Sequence, residues 1–174
     1  MTAQSHVYWL TGLSGAGKST LCRRLATHLR EEGRAIVMLD GDQMREILGA
    51  TAAHTREERL QLTMGYARLC RLIASQGIDV AIATISLFGE VHEWNRINLP
   101  GYVEIFLDVP LSELARRDPK GIYARSAGGA LKNVAGVDLP VDYPKAPDVA
   151  LTWRQGWTVD DAFNELLDKL ETLE

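Results

Sequence analysis

Short apolar runs alternate along this chain with segments in which apolar residues recur every three to four positions. The runs predict buried strands, and the periodic segments predict helices. The predicted strands are 7–11, 35–39, 79–85 and 102–107. The predicted helices are 19–32, 55–77 (opened by a Thr55–Glu58 capping box), 90–97, 111–117 and 158–173. This alternation indicates an open α/β fold, with parallel strands joined by right-handed crossovers and helices on both faces of the sheet.

Residues 118–147 follow neither period. The segment contains Gly121, Gly128, Gly129 and Gly136, and it carries several basic side chains. A long surface connection is one interpretation. Because irregular segments of this length in compact domains are often lids or binding loops, we expect a lid over about residues 118–147.

Composition narrows the class of protein. The chain has 174 residues, 46% of them hydrophobic, which fits a single domain over residues 1–174. The formal net charge of −4 argues against a nucleic-acid polymer as the partner. No apolar run is long enough to span a membrane, and the first residues lack the layout of a signal peptide. Two cysteines without metal-site spacing are typical of a reduced, cytoplasmic protein.

Residues 12–19, GLSGAGKS, fit the phosphate-loop pattern GxxxxGK[ST], between a predicted strand and a predicted helix. Glycines there let backbone N–H groups converge on a polyphosphate at a helix N-terminus. Lys18 can reach the β- and γ-phosphates of ATP, and the Ser19 hydroxyl can ligate Mg²⁺. A tight glycine turn without a ligand is the alternative. The predicted nucleotide-binding residues are Gly12, Ser14, Gly15, Ala16, Gly17, Lys18, Ser19 and Thr20.

Asp40 and Asp42 follow the second predicted strand, at the edge where α/β sheets bind ligands. They could hold the water shell of Mg²⁺ or accept a proton from an attacking hydroxyl, or they could belong to a turn with an N-cap aspartate. We predict Asp40, Asp42 and Lys18 as catalytic residues, and Ser19 and Asp42 as the metal site. No guanine motif of a GTPase occurs, so a small kinase with a lid fits best.

Three segments carry a resemblance to a known family. GLSGAGKST, LDGDQMREIL and RRDPKGIYARSAGGALKNVAGVD occur in this order, and from about residue 7 to 147 the chain resembles adenylylsulfate (APS) kinases. The resemblance implies a three-layer P-loop kinase fold, a homodimer, and transfer of the γ-phosphate of ATP to the ribose 3′-hydroxyl of APS. It also implies roles for single residues. Asp40 and Asp42 match the catalytic carboxylates, and the substrate-binding matches are Arg45, Arg59, Ile85, Ser86, Lys120 and Lys132.

The departures from the family pattern fall on the acceptor side. Thr84 and Val134 stand where the family has two phenylalanines that sandwich the adenine of APS. Leu62 and Met64 stand where it has an amide and an arginine. Neutral drift is the alternative, but drift would be expected to scatter along the chain. We therefore expect a modified acceptor.

The acceptor is the least determined part of the prediction. We expect an anionic nucleotide, such as a cytidine diphosphate derivative, because the resemblance extends to family branches in bacterial surface-polysaccharide pathways, one of which handles cytidine diphosphoramidate. Phe88, Trp94 and Arg96 are candidates for rebuilding part of the base pocket, but for Trp94 packing in the core is the favoured interpretation. A genuine APS kinase of sulfate assimilation is the first alternative. A nucleotide-binding regulatory module without turnover is the second, and the presence of Lys18 and Asp40 argues against it.

Overall fold

The computed structural model describes residues 5–50 and 55–173. Its strands are β1 (Val7–Thr11), β2 (Ile36–Asp40), β3 (Asp79–Ala83), β4 (Tyr102–Asp108) and β5 (Val149–Thr152). Its helices are α1 (Lys18–Glu31), α2 (Gly41–Ile47), α3 (Arg56–Ala74), α4 (Gly89–Asn98), α5 (Leu111–Arg117), α6 (Ile122–Ala127) and α7 (Val159–Glu171). The capping box at the start of α3 forms as predicted, with Thr55 and Glu58 each accepting the other's backbone N–H.

The strands form one parallel sheet in the order β2-β3-β1-β4-β5. In the centre, Val7 lies opposite Val80 on one side and opposite Tyr102 on the other. The predicted α/β fold is confirmed. Because the strands are parallel, their carboxyl ends meet at one edge, and the loops that follow β1, β2 and β3 lie side by side there.

Alternating side chains of β1 enter two separate cores. Tyr8 and Leu10 pack with the apolar side of α1 and with α7. Val7 and Trp9 pack on the opposite face with residues of α3 and α4. Helices therefore cover both faces of the sheet, which is the predicted three-layer arrangement. Within the described residues, no helix combines the length and the apolar character needed to cross a membrane.

Three elements, β5, α2 and α6, were not predicted. β5 has four residues and follows a Pro- and Asp-containing stretch, so its apolar run is too short to stand out. α2 begins at Gly41 directly after β2, where Gly and Asp favour a turn. The predicted third strand, 79–85, ends earlier, at Ala83, so Thr84, Ile85 and the residues after them form the loop that reaches α4.

The expected lid is more ordered than its sequence indicates. Residues 122–127 form α6, so the prediction of an irregular segment is wrong there. Tyr123, Val134 and Ala135 are buried against the α1 side of the molecule. With only six residues, α6 is too short to show a helical period in the sequence, and the burial of Tyr123 depends on the phosphate loop beneath it. Opening and closing of this segment stays a prediction.

Candidate active site

A cavity of about 490 Å³ lies at the carboxyl edge of the sheet. The phosphate loop forms its floor, and the end of β2 with the start of α2 forms one side. The residues after β3 and parts of segment 119–135 close it. Four regions distant in the sequence thus meet because parallel strands end together.

The phosphate loop joins β1 to α1 as predicted. Gly12 has a φ of +146°, and a Cβ there would lie 2.7 Å from the carbonyl oxygen of Leu107 on β4, so only glycine fits. Of the predicted nucleotide-binding residues, six line the cavity: Ser14, Gly15, Gly17, Lys18, Ser19 and Thr20. Gly12 and Ala16 do not. Gly12 shapes the turn, and the Ala16 N–H donates to the Leu13 carbonyl at 3.3 Å.

Lys18 is buried, with only 8% of its surface exposed. Its Nζ donates to the Leu13 carbonyl at 2.7 Å, which directs the ammonium along the inside of the loop. Burial, reinforced by the nearby charge of Lys120, lowers the pKa of Lys18 to about 8. A buried ammonium gains from an anion beside it, so this side chain suits a polyphosphate.

Asp40 connects the phosphate loop to α2. Its Oδ2 accepts from the Ser19 hydroxyl at 2.5 Å, and its Oδ1 accepts from the Asp42 N–H at 2.9 Å as the N-cap of α2. Asp40 therefore caps α2, and the same side chain also lies beside the phosphate loop, where it could bind Mg²⁺ or accept a proton.

Asp42 lies on the open side of the cavity and forms an ion pair with Lys120 of the segment after α5. Partial burial opposes ionisation of Asp42, but the hydrogen bond and charge of Lys120, with Arg45 and Lys18, lower its pKa overall. The structure places Asp40 against Ser19, whereas the sequence had paired Asp42 with Ser19 as the metal site. Asp42 and Lys120 are 78 residues apart in the sequence, so no local pattern predicts their ion pair.

The residues around Ser19 fit Mg²⁺. Within the described ranges, no three His, Cys, Asp or Glu side chains are grouped to hold a metal by themselves. Mg²⁺ usually takes one or two protein oxygens, with phosphate oxygens and water as its other ligands. The Ser19 hydroxyl and the Asp40 carboxylate supply such a pair of oxygens beside the phosphate loop.

Arg45 of α2 and Arg59 of α3 line the cavity opposite the phosphate loop. Burial, together with the charge of Arg45, lowers the pKa of Arg59, with Asp138 acting in the opposite direction. The Nε of Arg45 is buried without a hydrogen-bond partner in the described structure. Two guanidinium groups on one wall form a site for an anionic group.

A smaller cavity of about 40 Å³ adjoins the first and shares Arg45, Arg59, Thr84 and Ile85 with it. The predicted residue Ser86 lines only this second cavity. Its Oγ accepts from the buried indole of Trp9 at 2.9 Å, and its φ of +29° is unusual for a residue other than glycine. Ser86 is thus held in place from the core side.

The family model for adenylylsulphate kinase matches residues 4–152. The chain belongs to the APS kinase family. Among its relatives, the cytidine diphosphoramidate kinase of Campylobacter jejuni is 37% identical over 146 residues, covering 84% of this chain and 85% of that protein. The adenylyl-sulfate kinase of Gloeothece citriformis is 36% identical over 165 residues, covering 95% and 93%. The APS kinase of Mycobacterium tuberculosis, solved in complex with AMPPNP and APS, superposes with a TM-score of 0.86 at 32% identity, covering 97% and 98%.

The departures from the APS kinase pattern can now be located. Thr84 and Val134 both line the main cavity, each less than 8% exposed. Leu62 lines the second cavity beside Arg59. Met64 lines neither cavity and packs against the core between α3 and the sheet. Three of the four departures therefore border the two cavities, whereas Met64 does not, and a role of these positions in acceptor choice stays a prediction.

Two of the three candidates for rebuilding the base pocket lie elsewhere. Phe88 lines the second cavity, but Trp94 packs against the core. Arg96 pairs with Asp148 and Glu104 near β4. Because α4 begins at the cavity and runs away from it, only its N-cap residue, Phe88, reaches the site.

The sequence missed several residues that shape the cavity. Leu131, Asn133 and Pro119 line it, and Asp138 accepts from the N–H groups of Asn133 and Val134, which fixes the turn that carries Val134. These residues lie in the third segment that carries the family resemblance, but the sequence assigned none of them a role, because that role depends on how the segment folds back over the phosphate loop. The predicted Lys132 lines the cavity as expected.

Proposed function

We propose that this kinase transfers the γ-phosphate of ATP to a hydroxyl, most naturally the ribose 3′-hydroxyl, of an anionic nucleotide other than APS. A cytidine diphosphate derivative, such as cytidine diphosphoramidate, is the acceptor we favour, in surface-polysaccharide biosynthesis. The observation that carries this proposal is the composition of the cavity wall. It retains two arginines for an anion, but it offers Thr84 and Val134 where APS kinases have aromatic side chains.

On the donor side, the N–H groups of the phosphate loop and the Lys18 ammonium would bind the phosphates of ATP. Ser19 and Asp40 would hold Mg²⁺, which supplies neutralisation of the charge that develops on the phosphates. The chemical step has a loose, highly charged transition state, so these groups act by position and charge. Lys120 and Lys132 add positive charge from the segment above the cavity.

On the acceptor side, Arg45 and Arg59 would bind the anionic tail by forked hydrogen bonds, which orients the hydroxyl toward the γ-phosphate. Asp40 or Asp42 would accept the proton of that hydroxyl. Both carboxylates border the same cavity, and both can be reached from its interior. The segment over residues 118–147 would exclude water and so limit hydrolysis of ATP.

Genuine APS kinase activity is the second candidate. The adenylyl-sulfate kinase of Gloeothece citriformis covers more of this chain than the cytidine diphosphoramidate kinase does, 95% against 84%, at similar identity. A screen of ATP with a panel of nucleotides, read by mass spectrometry for the gain of one phosphate, separates the two candidates.

We further propose that residues 1–174 act as one domain, in a homodimer, in the cytoplasm where ATP is available.

Replacement of Asp40 by asparagine is expected to lower kcat by about 10²–10⁴-fold, with little change in the KM for ATP. Asparagine is an equally good N-cap, so α2 should keep its start and the fold should be stable. Steady-state kinetics over a range of Mg²⁺ concentrations, with the exposed Asp168→Asn as control, provide the measurement. A raised Mg²⁺ requirement would mean that Asp40 acts through the metal alone, which leaves Asp42 as the base. A loss confined to the KM for ATP would remove Asp40 from the chemistry.

Arg45→Ala is expected to raise the KM for the acceptor by about 10–150-fold, while the KM for ATP stays near that of the wild type. The range corresponds to the loss of hydrogen bonds to a charged group. Arg45→Lys should recover only part of the loss, because an ammonium keeps the charge but not the fork. Arg125→Ala, an exposed arginine on α6 outside both cavities, is the control. Equal changes in both KM values would contradict an acceptor site at Arg45.

A further inference from the structure

Tyr123 of α6 contacts the phosphate loop directly. Its hydroxyl donates to the carbonyl oxygen of Ser14 at 2.8 Å, across 109 residues of sequence. The side chain is only 6% exposed. Asp118 fixes the start of α6 by accepting from the N–H groups of Tyr123 and Ala124, at 3.2 and 2.9 Å. The phenol is thus held firmly against one peptide of the loop.

We propose that Tyr123 is a positioning residue that orients the Ser14–Gly15 peptide so that the Gly15 N–H faces the phosphates. In a trans peptide, the carbonyl oxygen and the following N–H point in opposite directions. With the Ser14 carbonyl bound to Tyr123, the Gly15 N–H is directed away from α6. Gly15 itself lines the cavity. The opposite orientation would direct a carbonyl dipole at the phosphates and repel them.

The loop's own hydrogen bonds do not fix the orientation of this peptide. The Ala16 N–H and the Lys18 ammonium both donate to the Leu13 carbonyl, at 3.3 and 2.7 Å, which closes a turn around the Ser14–Gly15 peptide but leaves that central peptide without a bond of its own inside the turn. Gly15 has a φ of +80°, and glycine makes rotation of the adjoining peptide easy. Other contacts of segment 118–147 with the loop, Gly136 against Leu13 and Pro119 beside Gly15, are apolar and cannot select a peptide orientation.

The Tyr123 hydroxyl is suited to donate this hydrogen bond at every physiological pH. Burial raises the pKa of its phenol to about 12, so the hydroxyl keeps its proton throughout the physiological range. The same burial makes an unpaired hydroxyl costly, which ties the side chain to the Ser14 carbonyl.

The inference rests on the proposed function, since it assumes that the loop binds the β- and γ-phosphates of ATP. The test is Tyr123→Phe, with isothermal titration calorimetry of AMPPNP and of AMP, which lacks those phosphates. We expect the Kd for AMPPNP to rise about three- to tenfold, from loss of one hydrogen bond, and the Kd for AMP to stay within twofold. In kinetics, the KM for ATP should rise and the KM for the acceptor should not.

Tyr8→Phe is the matched control. Tyr8 is equally buried, at 6% exposed, but its hydroxyl accepts from Arg34 at the opposite end of β1 from the phosphate loop. It should lower the melting temperature without changing the Kd for AMPPNP. Asp118→Ala is a second variant, which loosens α6 with Tyr123 intact and should weaken AMPPNP but not AMP. If Tyr123→Phe does not fold, the AMPPNP and AMP titrations of Asp118→Ala test the inference instead.

Three outcomes count against the inference. If Tyr123→Phe binds AMPPNP as tightly as the wild type, or if AMPPNP and AMP weaken equally, Tyr123 does not orient the loop peptide. If the wild-type protein itself binds no AMPPNP, the proposed function fails and the inference fails with it. The wild-type titration therefore separates failure of the function from failure of the positioning role.

Discussion

Lys18→Ala is expected to lower kcat/KM by at least about 10³-fold while the protein remains folded. Lys18 places a point charge at the transferring phosphate, and groups of this kind contribute on the order of 10²–10³-fold or more to catalysis. The fold should not suffer, because Lys18 is buried at a cost in desolvation that alanine does not incur. Phosphoryl transfer at saturating ATP and thermal unfolding are the two measurements.

Lys169→Ala is the control for Lys18, since it removes the same charge from α7, away from both cavities. It should leave turnover near that of the wild type. Near-normal turnover of Lys18→Ala would show that the phosphate loop does not serve the reaction.

Thr84→Phe/Val134→Phe is expected to shift acceptor preference toward APS. Each added phenyl group supplies an aromatic face worth about 0.5–1.5 kcal/mol, so the pair should raise kcat/KM for APS by about 5–100-fold. Thr84 and Val134 both line the main cavity, so the new phenyl groups are expected to border the space in which a base would lie. The same change should lower kcat/KM for cytidine nucleotides.

The matched control for the double substitution is Val137→Phe, which adds a phenyl group at an exposed position of the same segment. Side-by-side kinetics with APS and with cytidine and uridine nucleotides give the answer. If wild-type enzyme uses APS at about 10⁴ M⁻¹s⁻¹ or faster, and uses it better than every pyrimidine nucleotide, the substitutions at Thr84 and Val134 are drift.

The parts of this site that could be predicted from the sequence are those in which one continuous segment carries the function. The phosphate loop lies between β1 and α1 as its pattern indicates, and Asp40 ends β2 at the ligand edge. Both follow from local conformation and from the way parallel strands terminate. The role of each side chain within the site is a separate matter, which the variants above test.

The remainder depends on contacts between distant segments. Asp42 meets Lys120, and Tyr123 meets Ser14, only because segment 118–147 folds back over the loop. The two interpretations of Trp94, core packing and the base pocket, stayed open in the sequence for a related reason, and the structure has Trp94 against the core. An aromatic residue on a helix predicts burial, but the sequence alone does not tell which end of α4 approaches the cavity. β5 escaped prediction because it owes its existence to pairing with β4.

If phosphoryl transfer were lost in evolution, selection would preserve Asp40 and Lys18 to different extents. One carboxylate oxygen of Asp40 caps α2 and the other binds Ser19, so a descendant without catalysis would still benefit from Asp or Asn at this position. The second benefit of Lys18 is smaller, because its hydrogen bond to the Leu13 carbonyl is set against burial that is unfavourable for an ammonium without an anionic ligand. A lineage released from phosphoryl transfer would therefore be expected to lose Lys18 early and Asp40 late. Among homologues of uncertain activity, the lysine is the more informative residue to inspect.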